Sequence, residues 1–273
     1  MKQDVLLCGV GGQGILSIAY VLDNCALDSG LFLKQPEVHG MAQRGGAVQA
    51  HVRVSDRPIC SDLLPLGSAD LLLSLEPLEA LRYLDYLSPD NGWVISDITP
   101  FVNIANYPET AALHRVLLNL PRAVLFNGGQ LARKAGSPRA QNIVALGVAS
   151  ARLSYSAQLL EKHIATLFAS KSERLVNINL NAFKLGRVVS AFHTQLLEAG
   201  VSKAAVMALV CSLDFNPWPV PETVVEAWLS FLRQPDAERV MRQVFDSRLV
   251  LPVDETIPGK LSSGVVPEQL QRT

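Results

Sequence analysis

Apolar residues in this chain fall into short runs separated by glycine- and proline-rich turns, and the period of each run predicts its element. Residues 4 to 10 are an apolar run of strand length, while Ile15, Leu16, Ile18, Ala19 and Leu22 recur at the spacing of a helix with one apolar face. Leu31-Phe32-Leu33 predicts a second strand. Residues 35 to 46 are polar and glycine-rich, too irregular for helix or strand, and predict a loop. Beyond them Val48, Ala50, Val52 and Val54 alternate with Gln49, His51 and Arg53, the pattern of a half-buried strand.

The same reading gives a short strand at Ile59-Cys60 after the turn Asp56-Arg57-Pro58, and an interior strand over residues 70 to 75. Glu76-Pro77 opens a helix carrying Leu78, Ala80, Leu81, Leu84 and Leu87. Proline suits a first helical turn, where its missing N–H has no intrahelical partner. Further strands follow at residues 93 to 97 and 123 to 126, the latter leading through Asn127-Gly128-Gly129 into a helix that reaches Lys134. Strands alternating with helices define an α/β protein with a mostly parallel, Rossmann-like sheet and helices on both faces. In such sheets the loops after strand C-termini share one edge, where ligands bind.

Helical runs are predicted at 142 to 153, 157 to 168 and 175 to 197, stopped by Gly200. Another covers 204 to 213, and the stiff stretch Asn216-Pro217-Trp218-Pro219-Val220-Pro221 precedes helices at 222 to 232 and 236 to 246. The expected organisation is a main domain over residues 1–200, a helical appendage over 201–250 and a loosely ordered tail over 251–273.

Composition narrows the partners. The 273 residues are 49% hydrophobic and only 18% charged, a balance that a large partner interface explains. A net charge of -1 with scattered Lys and Arg gives no footprint for nucleic acid or an anionic membrane. The N-terminus has no signal-peptide pattern and no apolar run is long enough for a membrane span, so a cytoplasmic location is expected. Cys8, Cys25, Cys60 and Cys211 are too far apart for a local metal or iron–sulfur motif and read as small buried hydrophobes.

Candidate chemistry gathers in two stretches. Gly9, Gly11 and Gly14 fit the spacing G-x-G-x-x-G, with Gly12 and Gln13 between them, where a strand turns into a helix. Free amides and the positive end of the helix dipole there favour an anion; the alternative is that the glycines serve packing alone. A dinucleotide site requires an acidic residue about 20 positions on. The second strand instead ends in Lys34-Gln35-Pro36, and Asp28 belongs to the helix end.

The second stretch, residues 37 to 46, sets His39 and Arg44 five positions apart between glycines. Folded toward the first turn, they add an imidazole and a guanidinium to one anion-friendly surface; otherwise both are solvated on a loop. Asp70, Glu76 and Asp97 read as strand-end or helix-start residues, with Asp97 the strongest catalytic alternative. His51 reads as a strand-face residue, and His114, His163 and His193 lie in ordinary contexts. No thiamine-type Gly-Asp-Gly with a downstream Asn is present.

Taken together, Gly9-Val10-Gly11-Gly12-Gln13-Gly14, Glu37-Val38-His39-Gly40, Gln43-Arg44-Gly45-Gly46, the alternating strand through Val54, and Ser74-Leu75-Glu76-Pro77 with Glu79-Ala80 resemble the gamma domain of the 2-oxoacid:ferredoxin oxidoreductases, and within them the beta subunit of the indolepyruvate enzymes. Asn142 and Gly147 resemble family positions too, and the likeness spans roughly residues 3 to 200. It implies a subunit, inactive alone, of a complex that oxidatively decarboxylates a 2-oxoacid such as an aryl pyruvate to an acyl-CoA and CO2. Thiamine diphosphate and iron–sulfur clusters would sit on a larger partner subunit, coenzyme A would be co-substrate, and ferredoxin would take the electrons. The competing readings are a stand-alone nucleotide-binding oxidoreductase and a non-catalytic binding module.

Overall fold

The computed structural model describes residues 1–40 and 45–203 together with Val206, Met207 and Val210. A seven-stranded sheet is built around β1 (Lys2–Val10). On one side β1 is followed in parallel by β5 (Leu71–Ser74), β6 (Trp93–Asp97) and β7 (Ala123–Phe126). On the other it pairs antiparallel with β4 (Ala47–Ser55), and β2 (Phe32–Lys34) and β3 (Glu37–His39) pair antiparallel with β4. Every strand except β4 therefore runs the same way.

The near-continuous apolar runs of β1 and β5 follow from burial on both faces, which parallel strands acquire from their crossover helices. Val5, Leu6, Leu7, Leu71, Leu72 and Leu73 are all buried. One helical layer holds α1 (Ile15–Asp28), α5 (Gln141–Ala149), α6 (Ala157–Ala169) and α7 (Glu173–Glu198), with α4 (Gly128–Ala135) against α5 and α7. α2 (Pro77–Arg82) and α3 (Thr110–Asn119) pack together and onto the strands elsewhere. Where α5 meets α7 the backbones touch: a Cβ on Gly147 would lie 2.2 Å from Phe183 O, and one on Gly186 would lie 2.1 Å from Val144 O.

Several elements differ from expectation. Residues 35–46 include a strand, β3, because Glu37, Val38 and His39 find ladder partners in Ala50, Gln49 and Val48. β4 is buried on both faces, so its polar side belongs to the interior. Arg53 reaches Asp4 (Nε to Oδ1, 3.0 Å) and donates to the carbonyls of Ser61 and Leu63, while His51 Nδ1 accepts from the Leu64 amide at 3.1 Å. The segment that wraps β4 in this way includes Ile59 and Cys60, which are not a strand.

The helix opened by Glu76-Pro77 ends at Arg82 and gives way to a 3-10 turn over Leu84–Tyr86. The pattern reading passed over α3. Beyond Gly200, which closes α7 at φ 84°, Val206, Met207 and Val210 are buried; the remaining appendage and tail elements lie outside the described residues.

Candidate functional site

The loops leaving β1, β5, β6 and β7 share the C-terminal edge of the sheet, and the start of antiparallel β4 joins them. An open cleft of about 450 Å³ lies there, lined by Gly11, Gly12, Gly14, Leu16, Glu37 and His39 among others. The structure thus brings the glycine turn and His39 together. His39 is exposed, with Nδ1 3.1 Å from Gly40 O. Arg44 lies outside the described residues, between Gly40 and Gly45 of the same loop.

The turn itself is filled from within. Gln13 Oε1 accepts from the Val10 amide at 2.7 Å, and Gln13 Nε2 donates to Leu75 O at 2.9 Å, which ties the first turn to the end of β5. Gly9 leaves room for this: a Cβ there would sit 2.8 Å from Gln13 Oε1. The Gln13 amide donates to Val10 O at 3.0 Å and the Gly11 amide to Gly46 O at 2.8 Å.

Gly14 holds φ 90°, in the left-handed region, and its carbonyl accepts from Asn142 Nδ2 at 3.2 Å. The amides of Val10, Gly11 and Gln13 are already paired, and that of Ser17 donates to Gly14 O at 3.1 Å, so an anion at the start of α1 would meet the amides of Ile15 and Leu16. The Glu37 carboxylate lines the same cleft and opposes a dense negative charge.

The end of the 37–46 loop is tied to the turn at two further points. The Gly45 amide donates to Gly11 O at 3.2 Å, and Asn103 Nδ2 donates to Gly45 O at 2.7 Å. Neither Gln13, Asn142 nor Asn103 was assigned this work from the sequence. Gln13 stood inside the quoted motif, but its partner Leu75 is 62 positions away.

Strand order explains why the ribose-binding acid is missing. β4 separates β2 from β1, so the end of β2 lies two strands from the glycine turn, and Lys34 there pairs with Asp62 (3.0 Å). A dinucleotide fold needs that second strand beside the first.

The carboxylates fall into structural roles. Asp97 is fully buried, and its oxygens accept from the Thr99 amide (2.9 Å) and Gln141 Nε2 (2.7 Å); burial pushes its pKa up to about 6 against these bonds. Glu76 caps α2 by accepting from the Glu79 amide at 2.8 Å, and its other oxygen accepts from the Phe101 amide and the Tyr107 hydroxyl. Burial raises the pKa of Glu79 beneath it. Asp70 Oδ2 accepts from the Asp4 amide at 2.8 Å.

Burial also raises the thiols of Cys8 and Cys25, the latter to about 12, whereas Cys60 is exposed and Cys211 lies outside the described residues. Among the described residues no group of three His, Cys, Asp or Glu side chains is placed to hold a metal ion. Among them, too, no helix is long and apolar enough to cross a membrane.

The fold has counterparts of known structure. One is a 2-oxoglutarate:ferredoxin oxidoreductase of Magnetococcus marinus, with a TM-score of 0.54 at 21% identity over 70% of this chain and 31% of that larger one. Another is pyruvate oxidoreductase subunit PORC of Thermotoga maritima, with a TM-score of 0.50 at 16% identity over 68% of this chain and 94% of that one.

The family model described as pyruvate ferredoxin/flavodoxin oxidoreductase matches residues 4–189, and the chain belongs to that family. Among its relatives, indolepyruvate oxidoreductase subunit IorB of Archaeoglobus fulgidus is 36% identical over 68% of this chain and 94% of its own length. IorB of Methanothermobacter thermautotrophicus is 33% identical over 68% and 96%. The chain is a subunit of a 2-oxoacid:ferredoxin oxidoreductase complex.

Proposed function

We propose that the complex served by this chain oxidatively decarboxylates an aryl pyruvate such as indolepyruvate. The substrate's carboxylate leaves as CO2, the remaining acyl carbon forms a thioester with coenzyme A, and an electron pair passes to ferredoxin. The observation that carries this reading is the likeness to the IorB subunits over nearly their whole length. Thiamine diphosphate and iron–sulfur clusters supply the carbanion and electron chemistry, and both belong to a larger partner subunit; four cysteines spread over positions 8, 25, 60 and 211 suit that division.

In this reading the cleft between the glycine turn and the 37–46 loop faces the partner, with His39 in its lining, Arg44 of the same stretch of sequence as a further candidate, and the first turn of α1 offering amides to a group of coenzyme A. Exposed apolar side chains beside it support docking on this edge: Val38, Phe101, Val102 and Ile104 surround the Asn103 tie to Gly45. Residues 1–200 form the docking module, and 201–250 and 251–273 are its helical appendage and tail.

Co-expression with the larger subunit tests the proposal. The complex should reduce a ferredoxin or a viologen dye only when an aryl pyruvate and coenzyme A are both supplied, while the isolated chain stays inactive. Activity of the chain alone, tight binding of NAD or FAD, or failure to associate with any larger subunit would overturn it.

A further inference from the structure

Glu76 does more than cap α2. The residue is 1% exposed, and while Oε2 meets the Glu79 amide, Oε1 accepts from two groups of the long connection between β6 and α3, the Phe101 amide (3.2 Å) and the Tyr107 hydroxyl. A helix cap needs one oxygen and is ordinarily supplied by Ser, Thr, Asp or Asn. The longer glutamate side chain leaves a second oxygen to reach the connection. Ser74 fixes the approach, because its hydroxyl donates to Glu76 O (2.6 Å) and accepts from the Glu76 amide (3.2 Å). Burial, with the Glu76 carboxylate beside it, pushes the Tyr107 pKa up, so the phenol stays a donor.

Phe101 and Tyr107 flank the exposed tip that runs from Val102 to Asn106, and Glu76 closes that tip at its base. From the tip Asn103 Nδ2 reaches Gly45 O at 2.7 Å, and the Gly45 amide reaches Gly11 O at 3.2 Å. Gln13 Nε2 then returns to Leu75 O, next to Glu76, at 2.9 Å. The bonds make a closed frame from the end of β5 through the β6–α3 connection and Gly45 to the glycine turn and back. Gly11 belongs both to this frame and to the lining of the cleft.

We infer that Glu76 and Tyr107 are positioning residues for the cleft: by closing the base of the β6–α3 connection they place Asn103 on Gly45, and Gly45 in turn holds the glycine turn. Among the described residues that line the cleft neither is present, so each acts through Asn103. A tip with an open base samples many arrangements, and restricting it in advance lowers the cost of binding. The functional consequence rests on the reading of the cleft as the face that meets coenzyme A; the frame itself does not.

Amide hydrogen exchange of the full chain, read by NMR, tests the frame without turnover. Tyr107→Phe removes only the hydroxyl, Glu76→Gln leaves one oxygen for the α2 cap, and Asn103→Ala cuts the link at the tip. Amides in surface turns exchange by local opening, so loss of one hydrogen bond from the frame should quicken exchange at Gly45 at least about threefold in each variant. The amides of Gly30 and Gly136, which donate to Leu27 O and Arg133 O at turns outside the frame, should keep their rates. In the complex assembled with the larger subunit, kcat/KM for coenzyme A should fall about threefold or more in Tyr107→Phe, mainly through KM, with the melting temperature of the chain lowered by less than about 3 °C.

Unchanged exchange at Gly45 in Tyr107→Phe and Glu76→Gln would overturn the inference. Equal quickening at Gly30 and Gly136 would overturn it too, since that marks a general loosening. Should Glu76→Gln not fold, Tyr107→Phe and Asn103→Ala carry the test. Faster exchange at Gly45 with an unchanged KM would uphold the frame and overturn instead the placement of coenzyme A at the cleft.

Discussion

The two edges of the sheet invert what their sequences advertise. The C-terminal edge carries the conspicuous glycine motif, yet its polar groups are largely satisfied within the chain: Gln13 fills the turn, Asn142 holds Gly14, and Asp97 and Glu76 spend their oxygens on neighbouring amides and side chains. The N-terminal edge carries no motif, yet leaves Arg152 Nε and the Tyr155 hydroxyl buried and unpaired. A glycine signature records a backbone path, whereas an unsatisfied donor records a demand. The glycine turn of the first edge is held by bonds within the chain, although Glu79 Oε2 in α2 is also buried without a partner.

The largest test of that contrast is Gly14→Val. A side chain at φ 90° is strained, and its Cβ would lie 2.6 Å from Asn142 Nδ2. Backbone strain and overpacking together should cost about 4 kcal/mol, seen as a melting temperature lowered by roughly 10 °C. Gly12→Ala, at φ 104° but with nothing within 4 Å of the added Cβ, should cost no more than about 2 kcal/mol of strain alone. Equal stabilities for the two variants would mean that Asn142 does not constrain the turn.

Next in size is Gln13→Ala, which strands the Val10 amide and the Leu75 carbonyl in part-buried positions. About 2 kcal/mol should be lost in denaturant titrations. A variant as stable as the parent would show that cleft water serves these groups as well, and would move this edge toward the open character of the other.

How much of this was legible follows the range of the interactions. β1, β5, β6 and β7 announced themselves as mostly apolar runs because burial on both faces leaves few polar positions, Asp4, Ser74, Ser96 and Asp97 among them, and α5, α6 and α7 through their helical periodicity. β3 was read as loop because three residues with exposed side chains carry no periodic signal; its strand character comes from the β4 ladder. Arg53 was placed on a half-buried strand's polar face, since its partner Asp4 is 49 residues away. The glycine turn was legible as a turn, but not as a turn already occupied. The cavity between the Ser150–Arg152 turn and α7 gave no signal at all: Arg152 and Arg187 sit on different elements, and only folding brings them to one space.

At the N-terminal edge, His193 offers a pH test. Burial, with Arg152 and Lys203 adding their positive fields, lowers its pKa to about 4 although it meets the Ala123 backbone. The folded value lies below the unfolded one of about 6.5, so the unfolded chain binds more protons between them. The contribution to stability is complete above pH 6.5 and is lost as pH falls toward 4. Between pH 7.5 and 5 the loss should be about 2 kcal/mol. His193→Gln should flatten the pH dependence of the denaturation midpoint by that amount; an unchanged slope would mean that burial does not hold His193 neutral in the folded chain.

The smallest effect on stability should come from Arg44, which we propose acts at the C-terminal edge. Arg44 follows β3 in sequence and precedes Gly45, whose amide donates to Gly11 O and whose carbonyl accepts from Asn103 Nδ2. Arg44→Ala should change the melting temperature by less than about 1 °C, in keeping with substitutions outside any buried network. If the rim of the cleft meets the partner's reaction centre or coenzyme A, losing a guanidinium that grips carboxylate or phosphate with two donors should still lower kcat/KM of the assembled complex about tenfold or more. A rise in KM for coenzyme A with kcat preserved would place Arg44 on that co-substrate, and a fall in the yield of assembled complex would place it on the partner. Wild-type assembly and kinetics would remove Arg44 from the site and leave the first turn of α1 as the cleft's anion-binding element.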